Sequence, residues 1–213
     1  VYQIALILTG LIALIYNHIF NVFPNDSLIK YLVVLGFIIN TLVLVVTFIL
    51  SFGKKTNKFI IEKGIHFLAK IKIIKEEKKT QEKCQKYLQS FHDNAIELKK
   101  NKKIVAFMVL INIIGLMTMY SMPYPILRGM NVNIDIFKVI TAIAYVMIIG
   151  SFVPIPGGTG GIEYSFIFFF QYLISGSILH AAMLVWRLIS YYLGMIFGAI
   201  ALSLYRKKEK QCE

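Results

Sequence analysis

Cysteine is nearly absent from this chain: Cys84 and Cys212 are the only two in 213 residues. Each lies in a Lys-rich polar segment with no Cys or His at metal-ligand spacing, so a disulfide framework and a zinc site are both excluded and free thiols are expected. Catalytic signatures are missing too. There is no Gly-x-Ser-x-Gly elbow, no His-Glu-x-x-His and no Gly-x-x-x-x-Gly-Lys-Ser/Thr, and the four histidines, His18, His66, His92 and His180, are scattered. No enzyme activity, metal or cofactor is expected. The chain opens Val1-Tyr2-Gln3 without a basic region before its first apolar run, so that run is not read as a signal peptide,.

What the chain has in quantity is apolar side chain: 57% of its residues are hydrophobic, more than a soluble fold hides. The net charge of +12 is unevenly placed. Lys54 to Lys103 carries fifteen Lys against six acids, and Arg206-Lys207-Lys208 forms a second cluster near the end. Basic clusters beside apolar spans mark cytoplasmic segments, so this charge reports topology and anionic lipid, not nucleic acid.

In chain order, residues 1–52 hold two spans, Ile4 to Phe23 and Leu28 to Phe52, separated by Pro24-Asn25-Asp26-Ser27, with Asp26 or Ser27 as helix cap,. Asn17 and His18, near the end of the first span, are read as interfacial groups. Residues 53–103 repeat apolar residues at helical spacing, first Ile60, Phe67, Ile71 and Ile74, then Cys84, Leu88, Phe91, Ala95 and Leu98,. Two amphipathic helices on the cytoplasmic side are expected, as connector, lipid sensor or docking surface.

The third span, Ile104 to Met122, is expected to stop at Pro123 and Pro125,. Asn133 is expected to cap an apolar run of 16 residues, Ile134 to Ile149, which as a helix rises about 24 Å, short of the roughly 30 Å hydrocarbon core. Tyr164 to Ile174 is shorter still, and Ile178 to Tyr205 is long enough to span with tilt. If residues 53–103 and the tail 206–213 are both cytoplasmic, residues 134–175 cross the membrane either twice or not at all. Two undersized runs favour a broken, re-entrant pair; two complete crossings remain the alternative. The fold class expected is an all-α polytopic integral membrane protein: about four full spans, a re-entrant helical pair and a cytoplasmic amphipathic hairpin in one membrane domain.

Between the two short runs lies Pro154-Ile155-Pro156-Gly157-Gly158-Thr159-Gly160-Gly161-Ile162-Glu163. So many helix breakers leave backbone amides without helical partners, and a membrane interior has no water to satisfy them. Gly157, Gly158, Gly160 and Gly161 let a ligand or a neighbouring helix approach, and the helix that follows points free N–H groups and a positive dipole end at an anion such as a lipid phosphate. Glu163 falls in the first turn of that helix. Its dipole gain of about 0.3–1 kcal/mol is smaller than the cost of an acid at membrane depth, about 2.5–3.5 kcal/mol. A paired or ligand-facing Glu163 follows. Its candidate partner is Arg187, the only charge between Glu163 and Arg206, which on an ideal helix lies within roughly 40° of Gly194 and Gly198. Arg187 then faces protein or a wet cavity, holding a carboxylate or a phosphate.

Pro156 to Glu163, followed by Trp186-Arg187-Leu188-Ile189-Ser190, resembles the transmembrane domain of lysylphosphatidylglycerol synthases, a family that takes in the flippase domain of multiple peptide resistance factor. Its Pro-Gly-Gly-x-Gly-x-x-Glu and Arg-x-x-Ser patterns are matched, with Thr159 and Gly161 at positions where other residues are common. The resemblance implies a lipid flippase without the synthase domain, similar to the C-terminal part of the family's membrane region, with further spans before it. The substrate-binding residues are then Gly157, Gly158, Thr159, Gly160, Gly161, Glu163, Arg187 and Ser190, and the partner is a membrane phospholipid, aminoacylated or not. A homodimer through the Gly194/Gly198 face, a separate synthase and a place in the cell membrane are also expected. Two other classes stay open: a non-transporting scaffold that docks an enzyme through residues 53–103, and a membrane-embedded lipid-modifying enzyme.

Overall fold

The computed structural model describes residues 1–24, 27–52, 77–151 and 156–209. Asp26, the stripe from Ile60 to Ile74, Pro154 and Ile155 lie outside the described residues, as do the side chains of Cys84, Leu88, Phe91 and the Arg206-Lys207-Lys208 cluster. Among the described residues every regular element is helical: α1 Tyr2–Phe20, α2 Ser27–Phe52, α3 Glu77–Lys100, α4 Lys102–Ser121, α5 Pro123–Gly129, α6 Ile136–Gly150, α7 Gly161–Phe170, α8 Ser177–Arg187 and α9 Leu193–Glu209. A 3₁₀ turn, Pro156–Gly158, precedes α7, and a π turn, Leu188–Tyr192, joins α8 to α9.

Four helical stretches are long and apolar enough to cross a membrane: Tyr2–Phe20, Ser27–Phe52, Lys102–Gly129 and Ser177–Ser203. The chain is an all-α, multi-pass membrane protein. Between the third and fourth stretches lie α6 and α7, apolar but only 15 and 10 residues long.

The third stretch corrects an expectation. Pro123 and Pro125 do not end it: Met122 keeps right-handed helical backbone, and Pro123 begins α5 directly after α4. A proline in a first helical turn forfeits only an N–H that has no intrahelical partner there, so the helical stretch runs on from Lys102 to Gly129,. A second correction concerns the start of α6. Its cap is Asp135, whose carboxylate accepts the N–H groups of Phe137 at 2.8 Å and Lys138 at 3.2 Å. Asn133 instead accepts a 2.7 Å bond from the Arg128 guanidinium. An acid at the cap adds charge complementarity with the helix dipole to the capping bonds, which an asparagine lacks.

The chain forms two compact units. In the first, Val1–Ile7 with Ile38–Ile113, polar groups join the helices. The Gln3 side-chain amide donates 2.6 Å to Oδ1 of buried Asn40, and buried His92 on α3 meets the Ser51 carbonyl at 2.6 Å. That carbonyl lies in the last described turn of α2.

The second unit, Leu8–Phe37 with Ile114–Glu213, is built on α6. Ten of its fifteen residues are buried, from Val139 to Gly150, as befits a helix apolar on all sides. Gly10 and Gly36 let α1 and α2 close on Ile148, whose side chain occupies the space a Cβ at either position would need. α6 and α7 form an antiparallel hairpin: Ile162 lies against Gly150 near the turn, and Tyr145 meets Phe169 farther along, ring centroids 5.4 Å apart. Phe23 closes that end with rings 5.6 Å from Tyr145 and 5.4 Å from Phe169. Its N–H is held by Asn17 Oδ1 at 2.9 Å, so Asn17 shapes the turn after α1. α8 also packs on α7, where Trp186 stacks on Phe166 at 4.9 Å.

Candidate functional site

The site grows from the glycine turn between the two short helices. Gly157, Gly158 and Gly160 have φ of 76°, 62° and 87°, a left-handed region open to glycine and costly to residues bearing a Cβ. Three such residues turn the chain sharply enough to start α7 beside the end of α6. Ile162 fills the room that the missing side chains of Gly150 and Gly158 leave.

At the start of α7, Gly160 takes the cap position and Glu163 the third helical position. The Glu163 carboxylate reaches back, and its Oε2 accepts the Gly160 N–H at 2.6 Å. Glycine has no side chain to return a bond, so this is a one-sided capping box. The other oxygen, Oε1, accepts Arg187 Nε at 2.7 Å. Arg187 is the last residue of α8, its side chain only 5% exposed against 19% for Glu163. Its Nη2 donates to the Gly157 carbonyl at 2.9 Å. Glu163 and Arg187 are therefore brought together as expected, and the arginine also binds the turn itself. The Arg187 Cζ lies over the Tyr191 ring, 4.9 Å from its centroid.

The other predicted members differ in exposure. Thr159 and Gly160 are exposed, Gly161 is half-buried as the first residue of α7, and Gly158 is buried against Ile162. Half-buried Ser190 makes no hydrogen bond to this cluster among the described residues. One amide expected to face a ligand freely, that of Gly160, is taken by Glu163.

The helical-wheel alignment of Arg187 with Gly194 and Gly198 does not hold. The π turn at Leu188–Tyr192 takes up one residue more than an α-turn, which rotates everything beyond it by about 100°,. Arg187 is buried, whereas a Cβ added at Gly194 or Gly198 would meet nothing within 4 Å among the described residues. Sequence reasoning also missed Tyr191 and the Gly157 carbonyl as partners of Arg187. No periodicity announces a π turn, though the aromatic pair Tyr191-Tyr192 follows the arginine at close helical spacing.

The geometry is an internally neutralised ion pair, its arginine buried and its acid half-buried, closing a glycine turn between two short apolar helices. No curated protein sequence and no solved structure matches the chain. The family model for the lysylphosphatidylglycerol synthase TM region matches residues 1–198, nearly the whole chain and all of this site. By that match the chain belongs to the lysylphosphatidylglycerol synthase transmembrane-region family.

Proposed function

We propose that this chain is a lipid flippase domain that moves a phospholipid, aminoacylated or not, between leaflets without changing it covalently. The headgroup site is the glycine turn. The observation that carries the reading is the Arg187 guanidinium, buried yet shared between a carboxylate and a backbone carbonyl. A lipid phosphate takes the place of the Gly157 carbonyl on Arg187, binding in the forked geometry that guanidinium favours. A cationic headgroup amine, such as a lysyl amine, takes the place of Arg187 on Glu163. Each ion keeps a partner through this exchange, so neither is left uncompensated at membrane depth, where an unpaired charge is costly.

The α6–α7 hairpin, too short to span, places the turn inside the membrane in this reading, with residues 53–103 and the C-terminal basic cluster on the cytoplasmic side of the cell membrane. A second copy binds through the exposed Gly194/Gly198 face. The test is transport in vesicles reconstituted with lysyl-phosphatidylglycerol, scored by an amine-reactive probe outside. Glu163→Gln and Arg187→Ala are expected to lose outward appearance of the lipid while keeping native helical content. Normal transport by both sinks the proposal. Lipid extraction and mass analysis separate it from an enzyme, which leaves a chemically altered lipid.

A further inference from the structure

Two in-plane hydrogen bonds fix which way a guanidinium points but leave its flat faces open, and the arginine stem is long and flexible. Arg187 has its Cζ set over an aromatic ring. Tyr191 lies four residues on, within the π turn, and its ring centroid is 4.9 Å from the Arg187 Cζ. That is within cation–π range. The same ring lies against Gly157, so closely that a Cβ on Gly157 would overlap its outer edge. Gly157 is in turn the residue whose carbonyl accepts Arg187 Nη2 at 2.9 Å. One aromatic ring therefore touches both halves of the contact that a phosphate would replace. It backs the guanidinium and sets how near the glycine turn comes.

We propose that Tyr191 is a positioning residue of the headgroup site, its ring holding the Arg187 guanidinium edge-on toward the glycine turn where a lipid phosphate is received. The inference rests on the headgroup reading above, and it concerns the ring, not the hydroxyl.

The test uses the whole chain in lipid nanodiscs with ¹⁵N-labelled arginine, and the same variants in transport vesicles containing lysyl-phosphatidylglycerol. The Arg187 Nε–H signal, assigned by its loss in Arg187→Lys, is expected to carry an upfield ring-current shift. Tyr191→Phe keeps that shift and transports within about twofold of the native rate. Tyr191→Leu loses the shift and transports about tenfold more slowly at limiting lipid, with the half-saturating lipid concentration raised more than the maximal rate is lowered. Tyr191→Met serves as the second ringless variant if the leucine variant does not fold. An unchanged Nε–H signal or native transport in the ringless variants overturns the proposal, as does a Tyr191→Phe variant as impaired as they are. A native protein that moves no lipid but shows the ring-dependent signal sinks the headgroup reading and supports the positioning role on its own.

Discussion

Replacing Glu163 by alanine removes the acid that both caps α7 and neutralises Arg187. Arg187 is then left 5% exposed with the Gly157 carbonyl as its remaining hydrogen-bond partner at 2.9 Å. Breaking a buried ion pair from one side costs about 3–5 kcal/mol, and the surviving carbonyl bond places this case near 3. Loss of the 2.6 Å bond to the Gly160 N–H adds about 1 kcal/mol of capping, for a total of about 4. Arg187→Ala leaves an acid that is 19% exposed and still bonded to Gly160, at about 2–3 kcal/mol. If the two were independent, the double variant would lose about 6–7 kcal/mol. Because removing both charges leaves neither uncompensated, the double variant is expected to lose only about 4, a coupling of about 2–3 kcal/mol. Unfolding in mixed micelles titrated with SDS and followed by circular dichroism measures all four corners of the cycle. Additivity within about 0.5 kcal/mol would refute the argument that these residues form one electrostatic unit.

Gly157→Ala forces a Cβ onto backbone at φ 76° and against the Tyr191 ring, so a loss of at least about 1–2 kcal/mol is expected in the same unfolding assay. Asp135→Ala uncaps α6, with about 1 kcal/mol lost and faster hydrogen exchange at Phe137 and Lys138; unchanged exchange there would contradict the capping role,. His92→Ala removes the imidazole partner of the Ser51 carbonyl, costing about 1 kcal/mol,. Its exchange should rise in α3 and leave α6 and α7 as they were.

The spans were legible because bilayer thickness imposes a length on apolar runs, and the site because charge is scarce around it. With one acid and one arginine in that stretch, the cost of leaving either unpaired at membrane depth pointed to the 2.7 Å pair that α7 and α8 form,. The glycine turn was legible from the breakers themselves. What escaped were effects set by a single residue's backbone geometry. Pro123 looks the same in a sequence whether it stops a helix or opens the next one. Asn133 and Asp135 are both competent caps, and the choice between them depends on where the chain leaves the turn. The π turn rotates Gly194 and Gly198 away from Arg187 by adding one residue to a turn, which a 100° wheel cannot register. His92 was passed over because its partner is a backbone carbonyl at a helix end, and a carbonyl has no letter in the sequence.

The 24-residue separation of Glu163 and Arg187 also sets an order of events during biogenesis. At about 5–20 residues per second, the acid leaves the ribosome roughly one to five seconds before the arginine that neutralises it. For that interval the Gly160 N–H, three residues away, is the local partner the growing chain offers. The one-sided capping box is then a temporary berth for the carboxylate until α8 is in place.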